Sequence, residues 1–401
     1  MPRTGVIVAR WVATLLVLVP VATGPGLADG TRLWEDPKTH QVYTEPGEGR
    51  VPLDTREEHP GTEVRLASKA LKLEFSGVHF LGFVHRDPDD GPGTSKFETR
   101  RNHFQVKAFL DEKNYMRLTL DAYQETAAEA TNADGSWNMR VKYAYLWLAD
   151  VLPGTGIEIG QVHLPWLDYE ESHGWFYRSI SKTFIEAEEG AALFTSADLG
   201  VNVRTAFDHV SSEVVVVNGE GFHARSEGRG LLVGGRLVWH LLGTGRKRVN
   251  PLRDRYLDAA VLAVHSNDDE AKTDTPDGTD FDLAGLHVVY NCPRFLVAAM
   301  YVDADNDDYG RYEGHGLTVN LEIRPSDRWA ILARRDDWDQ SDTVANHGGD
   351  RTNTIVGVAW RYDRYVRFIV NLEQVDYDDA DTLNAKLADE NRLYVTAEVH
   401  W

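Results

Sequence analysis

Leu393-Tyr394-Val395-Thr396-Ala397-Glu398-Val399-His400-Trp401 alternates without a break. Leu393, Val395, Ala397, Val399 and Trp401 are apolar, and between them stand a phenol, a hydroxyl, a carboxylate and an imidazole. Successive side chains of a strand point to opposite faces, so this segment has one greasy and one wet side. Val366, Phe368, Val370 and Leu372 alternate in the same way with Arg367, Asn371 and Glu373. Leu317, Val319, Leu321 and Ile323 alternate with Thr318, Asn320, Glu322 and Arg324. A soluble sandwich also alternates, but a packed core does not tolerate charge on its inner face unless each charge is paired. A water-filled lumen does.

Working back along the chain, sixteen such segments begin near residues 71, 98, 114, 137, 156, 197, 211, 230, 255, 280, 294, 315, 328, 353, 365 and 390. Residues 255–264 and 294–302 are apolar on both faces in places. The joins alternate in length. Asp111 to Lys113, His209 to Val210, Asn291 to Pro293, Pro325 to Asp327 and Asp363 to Arg364 are short, and long polar joins fall between them near 86–97, 125–136, 164–196, 219–229, 266–279, 303–314, 336–352 and 377–389. Two joins on the short side, 150–155 and 242–254, are longer than this rule prefers. Aromatics cluster near segment ends, among them Tyr115, Trp137, Trp147, Trp239, Tyr256, Tyr290, Trp329, Trp360, Tyr362, Tyr365 and Trp401. Amphipathic rings at that level suit the two membrane–water interfaces. Short turns at one end, long loops at the other and aromatic girdles predict an all-β fold: a transmembrane antiparallel up-and-down barrel of sixteen strands with a long third external loop.

The start of the chain reads as an export leader. Arg3 and Arg10 precede the apolar run Trp11 to Ala22, and Gly26-Leu27-Ala28 offers small residues at a cleavage site. The run is shorter than the ~20 apolar residues of a membrane span. The expected organisation is a signal peptide over 1–28, a periplasmic extension rich in Pro, Gly and charge over 29–70, and the barrel over 71–401 of a bacterial outer-membrane protein. The formal net charge of −21 excludes nucleic acid as a partner, since binding it calls for a basic face. A hydrophobic content of 42% argues against disorder. Cys292 is the single cysteine, so neither an intramolecular disulfide nor a cysteine-rich zinc site can form.

The barrel region resembles the 16-stranded bacterial porins, and within them faintly the phosphate-selective porin O and P group. The resemblance rests on the aromatic end with its alternating approach, on Phe97-Glu98-Thr99-Arg100-Arg101-Asn102-His103-Phe104, and on Ser196-Ala197-Asp198-Leu199-Gly200-Val201. It implies a homotrimer, diffusive passage of small hydrophilic solutes or anions, and contact with outer-membrane lipid and lipopolysaccharide. It also implies that Val399 and Trp401 carry the signal read by the barrel-assembly machinery. In porins of this kind the third external loop narrows the lumen. Here that ordinal place belongs to residues 164–196, with Asp168, Glu170, Glu171, Glu186, Glu188, Glu189, Arg178 and Lys182. No compact lysine cluster like that of the phosphate-specific members stands in an external loop.

Strand parity assigns the wet face. It carries Arg101, His103, Lys107, Arg117, Arg140, Lys142, Arg204, Arg236, Arg324, Arg334, Arg361 and Arg367, against fewer acids, chiefly Asp121, Glu322, Glu373 and Glu398. A basic wall opposite an acidic loop favours anions, because fixed charge compensates a desolvating ion. The alternative is that the arginines pair with inward carboxylates and leave the wall neutral. Asp303-Ala304-Asp305-Asn306-Asp307-Asp308 opens like a calcium loop but has Asp308 and Gly314 where an EF-hand needs Gly and Glu. This run, Asp336 to Asp339 and Asp376 to Asp379 are expected on external loops. No G-x-S-x-G or H-E-x-x-H motif supports a hydrolase, and no cofactor is expected. A third class, a sheath housing a partner such as a multihaem cytochrome, would take its haem from that partner, since the chain has no C-x-x-C-H.

Overall fold

A computed structural model describes residues 72–124, 136–223, 230–268, 281–305, 313–340, 349–378 and 388–401, together with four short strands before them. The leader expected over 1–28 lies outside the described residues, as does most of 29–71. Within the unit Met1–His59, β1 (Trp34–Glu35), β2 (Val42–Tyr43) and β3 (Val51–Pro52) form a three-stranded antiparallel sheet in the order β2-β1-β3.

In the unit Pro60–Trp401, β4 (Thr62–Arg65) precedes sixteen long strands. They are β5 (Lys72–Pro88), β6 (Thr94–Phe109), β7 (Tyr115–Gln124), β8 (Trp137–Leu152), β9 (Thr155–His163), β10 (Ala197–Ala206), β11 (Val210–Val217) and β12 (Gly230–His240), followed by β13 (Tyr256–Asp268), β14 (Phe281–Cys292), β15 (Phe295–Asp305), β16 (Gly314–Ile323), β17 (Trp329–Gln340), β18 (Arg351–Arg361), β19 (Val366–Tyr377) and β20 (Glu390–His400). Each pairs antiparallel with the next, and β20 pairs with β5 from His400↔Val78 to Glu390↔Pro88, which closes the barrel. Closure leaves no strand edge unpaired, the condition for a sheet that must satisfy its backbone without water. β4 continues the ladder on the same edge of β5, from Arg65↔Lys72 to Thr62↔Phe75.

Burial alternates along the strands with the sense opposite to a soluble protein. On β16, Thr318, Asn320 and Glu322 are buried while Leu317, Val319, Leu321 and Ile323 are exposed. On β20, Arg392, Thr396 and Glu398 are buried and Val395 is exposed. The apolar face therefore points out and the polar face points in.

The short joins take their expected end, with differences in length. Residues 150–155 reduce to the two-residue turn Pro153-Gly154, where Gly154 supplies the positive φ of 70°. The first long join is only residues 89–93, because β5 and β6 extend to Pro88 and from Thr94. The join over 241–255 is long in fact. The acidic runs extend strands. Asp303 and Asp305 lie on β15, Asp336 to Asp339 on β17 and Asp376 on β19, while Asn306 to Asp308 and Asp379 lie outside the described residues. Of the aromatics, Trp137, Trp239, Trp329, Tyr362, Tyr365 and Trp401 are exposed. Tyr256 is fully buried on the inner face, and Tyr115 and Trp147 pack against the inner core.

Candidate functional site: the interior wall and the inserted segment

Residues 164–196 fold into the barrel. Pro165 and Trp166 lead into α1 (Leu167–His173), a short helix with Asp168 and Glu170 in its first turn and His173 in its last, the arrangement its dipole favours. Trp166, Trp175, Tyr177, Phe184 and Ile185 are all buried. Trp166, Phe184 and Ile185 pack on the inner faces of the strands that the sequence makes apolar on both sides, in one cluster with Ala260, Leu262, Val264, Met300 and Val302, while Trp175 and Tyr177 pack on Ala330, Leu332, Ile355 and Ile369. Inner-face apolar residues on β13 and β15 are thus the seat of the segment. Polar ties surround this seat. The Tyr177 hydroxyl donates to Glu322 at 2.7 Å, Arg204 to Asp168 at 2.8 Å, Arg351 to the Gly190 carbonyl at 2.6 Å, and the Tyr256 hydroxyl to the His173 carbonyl at 2.6 Å. Arg367 donates to the Phe176 carbonyl, and Arg392 pairs with Glu189.

The segment carries its own ion cluster. Arg178 lies between Glu171 and Glu186. Burial opposes the charge of Glu186, but the Arg178 guanidinium outweighs it and holds the carboxyl down at about 2. Asp168 is held below the usual carboxylate range by Arg204 against the same opposition of burial. Glu170 has the opposite fate: desolvation pushes it up to about 7, and its one donor is the Trp166 indole at 2.7 Å. Lys182 is exposed.

The eleven cationic side chains assigned by parity divide into two groups. On β10 to β20, Arg204 and Arg236 share Glu213 at 2.8 and 2.7 Å, Arg324 forks onto Glu322, Arg334 pairs Asp336 at 2.7 Å, and Arg367 pairs Glu398 at 2.8 Å. Arg361 faces Arg367 across the ladder with no carboxylate within 4 Å among the described residues. Arg361 apart, this side is neutralised by acids that parity reading undercounted: Glu213, Asp258 and Asp336 are buried on it, and the buried Glu158 of β9 lies 3.6 Å from Arg204. On β6 to β8 the balance differs. Arg140 pairs Asp121 at 3.0 Å, but Arg101, Lys107, Arg117 and Lys142 have no carboxylate within 4 Å among the described residues. They rest on aromatic faces instead, Arg101 over Phe80, Lys107 over Tyr115, and Arg117 and Lys142 over Tyr143. With His103, His163, Asp168, Glu171 and Arg204 they line a polar cavity of about 420 Å³ between the inserted segment and the β5–β9 wall.

Two bulges reshape this wall. The register of β5 and β6 passes from Phe80↔Arg101 to Leu81↔Thr99, so Arg100 is the extra residue. It turns inward over Gly82, stacks on Tyr394 at 4.6 Å and donates to Thr396 at 2.6 Å. Lys142 is the extra residue between Thr119↔Tyr143 and Leu120↔Val141. Strict alternation sends Arg100 outward, and the sequence holds no mark of the bulge beyond the Arg100-Arg101 doublet. Arg392 had a readable signal, since it extends by one step the wet face of Tyr394, Thr396 and Glu398.

Among the described residues, one serine–histidine–aspartate set occurs on the inner wall. The Ser211 hydroxyl lies 2.8 Å from His240 Nε2, and His240 Nδ1 lies 3.0 Å from Asp258. Both Asp258 oxygens lack a hydrogen bond, so the carboxylate does not orient the imidazole as a catalytic triad requires.

At the C-terminal seam, Trp401 exchanges two backbone bonds with Gly77, at 2.8 and 3.1 Å, and its indole stacks on His79. A Cβ at Gly77 would meet that indole at 2.5 Å. Val399 faces outward opposite His79 in the β5 ladder.

No protein-family model matches the chain, and no curated protein sequence matches it. Solved structures do. A Salmonella typhi OmpF complex with daunomycin superposes at a TM-score of 0.57, with 13% identity over 84% of this chain and all of the other. An anion-selective porin from Comamonas acidovorans gives 0.58, 12%, 82% and 99%. Pseudomonas putida OprB gives 0.60, 8%, 82% and 94%. At these identities the likeness is one of fold: the chain has a porin-like barrel, and nothing ties it to the O and P group in particular.

Proposed function

We propose that this chain is an outer-membrane porin that passes ions and small hydrophilic solutes down their gradients and prefers anions. The observation that carries the reading is the set of four cations, Arg101, Lys107, Arg117 and Lys142, without carboxylate partners on the wall facing the inserted segment. An unneutralised charge on the lumen wall, fixed in the case of the Arg101 and Arg117 guanidiniums, lowers the cost of shedding hydration for an ion of opposite sign. Elsewhere on the wall Arg140, Arg204, Arg236, Arg324, Arg334 and Arg367 are paired with carboxylates and add little net field. The outward apolar face supports residence in a bilayer, and the fold supports export, outer-membrane lipid and lipopolysaccharide as surroundings, assembly through the Trp401 end and a homotrimer. The inserted segment disfavours the sheath reading, because its buried Trp166, Phe184 and Ile185 occupy the interior that a partner would need.

Reversal potentials in planar bilayers under a KCl gradient test the selectivity. The wild-type chain is expected to favour chloride, and Arg117→Glu with Lys142→Glu to reverse the preference. Cation preference in the wild type would overturn the anion reading. Failure of liposomes carrying the protein to swell in small sugars and anions would overturn the pore itself.

A further inference from the structure

The join between β12 and β13, residues 241–255, lies at the short-turn end and is far longer than its neighbours there. It is strongly basic, with Arg246, Lys247, Arg248, Arg253 and Arg255 against Asp254. A long turn free in solution would need no ties to the lumen, yet this one has several. The Pro251 carbonyl accepts from Arg324 at 3.0 Å and from Asn291 at 3.1 Å, and Asn291 also donates to the Asp254 carbonyl at 2.8 Å. Both donors are fully buried groups on the inner wall, at the ends of β16 and β14. Val249 packs on the inner-face cluster Tyr256, Val289, Leu296 and Ala298, which Phe176 of the inserted segment also covers. At its near end the strap is tied to the β10–β11 turn, where the Gly245 amide donates to the Asp208 carbonyl at 2.8 Å and Arg246 to the Ala206 carbonyl at 3.3 Å. Lys247 and Arg248 are left exposed between these anchors.

We propose that residues 241–255 are a second, basic filter that narrows the short-turn mouth, with Lys247 and Arg248 as selectivity-determining residues acting on the same small anions in series with the inserted segment. This rests on the anion reading above, and it adds a place and a direction. Charge concentrated at one mouth makes conduction asymmetric, since anions are enriched on the side where the strap stands.

The test uses the full-length chain inserted in planar bilayers with one orientation. Lys247→Glu with Arg248→Glu is expected to lower the anion-to-cation permeability ratio by more than about fivefold, the factor that a single unit charge at ~4 Å in water is worth, and to reverse the sense in which the current rectifies. A second arm places Arg248→Cys in a Cys292→Ser background, Cys292 being the one cysteine and buried. A bulky thiol reagent is expected to lower single-channel conductance, and to react faster from the short-turn side. A wild type that prefers anions, with an unchanged double variant and unchanged conductance after modification, overturns the strap and leaves the pore reading intact. A wild type without anion preference overturns both as anion filters, and conductance after modification then decides separately whether the strap narrows the mouth. Heat-dependent mobility in detergent gels confirms that each variant folds.

Discussion

Glu170 sits where a carboxylate is costly. It is fully buried, one oxygen takes the Trp166 indole hydrogen, and the other has no partner. Burial raises its pKa from 4.5 to about 7, so its contribution to stability is complete below pH ~4.5 and is lost as pH rises through 7. The loss is on the order of 3 kcal/mol. Glu170→Gln keeps the indole acceptor and removes the proton. Hydrogen-exchange protection over residues 164–196, relative to the intrinsic exchange rate at each pH, is expected to fall between pH 5 and pH 8 in the wild type and to stay flat in this variant. Sequence parity cannot see such a group, because it assigns a side chain to a face and says nothing of the solvent there. Arg100 makes the same point: its direction depends on a one-residue bulge, and the alternation on either side is equally regular.

At the scale of elements, the inserted segment is held by both grease and charge. Arg178 is the hub of its internal charge, between Glu171 and Glu186. Arg178→Ala leaves buried carboxylate charge unpaired, which costs about 3–5 kcal/mol. The expected outcome is a mobile segment, read as larger and noisier single-channel conductance and faster proteolysis within 164–196, with the barrel itself retained. Unchanged conductance noise would show that packing of Trp166, Phe184 and Ile185 suffices alone. Strand starts were legible to within a few residues because turns of two to five residues between alternating runs leave little freedom of register. The length of the first long join was not, since β5 and β6 carry polar residues on both faces as they extend beyond the apolar belt.

For the whole molecule, the seam between β5 and β20 is the step on which closure depends. Gly77 leaves the space that the Trp401 indole occupies, and Trp401 caps the ladder by bonding Gly77 twice. Gly77→Val overpacks this contact, at about 1–3 kcal/mol. The barrel is expected to unfold at lower temperature in a detergent-gel mobility assay, and Trp401→Ala in the same chain is expected to recover part of the loss. An additive double variant would show that Gly77 is needed for another reason.

Alternation and turn spacing by themselves determined the strand count, the antiparallel order, and which face of each regular strand is apolar. These follow from a period of two and from short connections, both local properties of the chain. Only the tertiary structure decided how the interior charge is used. Pairing depends on which strands stand side by side and on what fills the lumen, so the same inward arginine is neutralised on β17 beside Asp336 and left unpaired on β7. The net field across the lumen is a difference between such neighbours, and no single strand contains it.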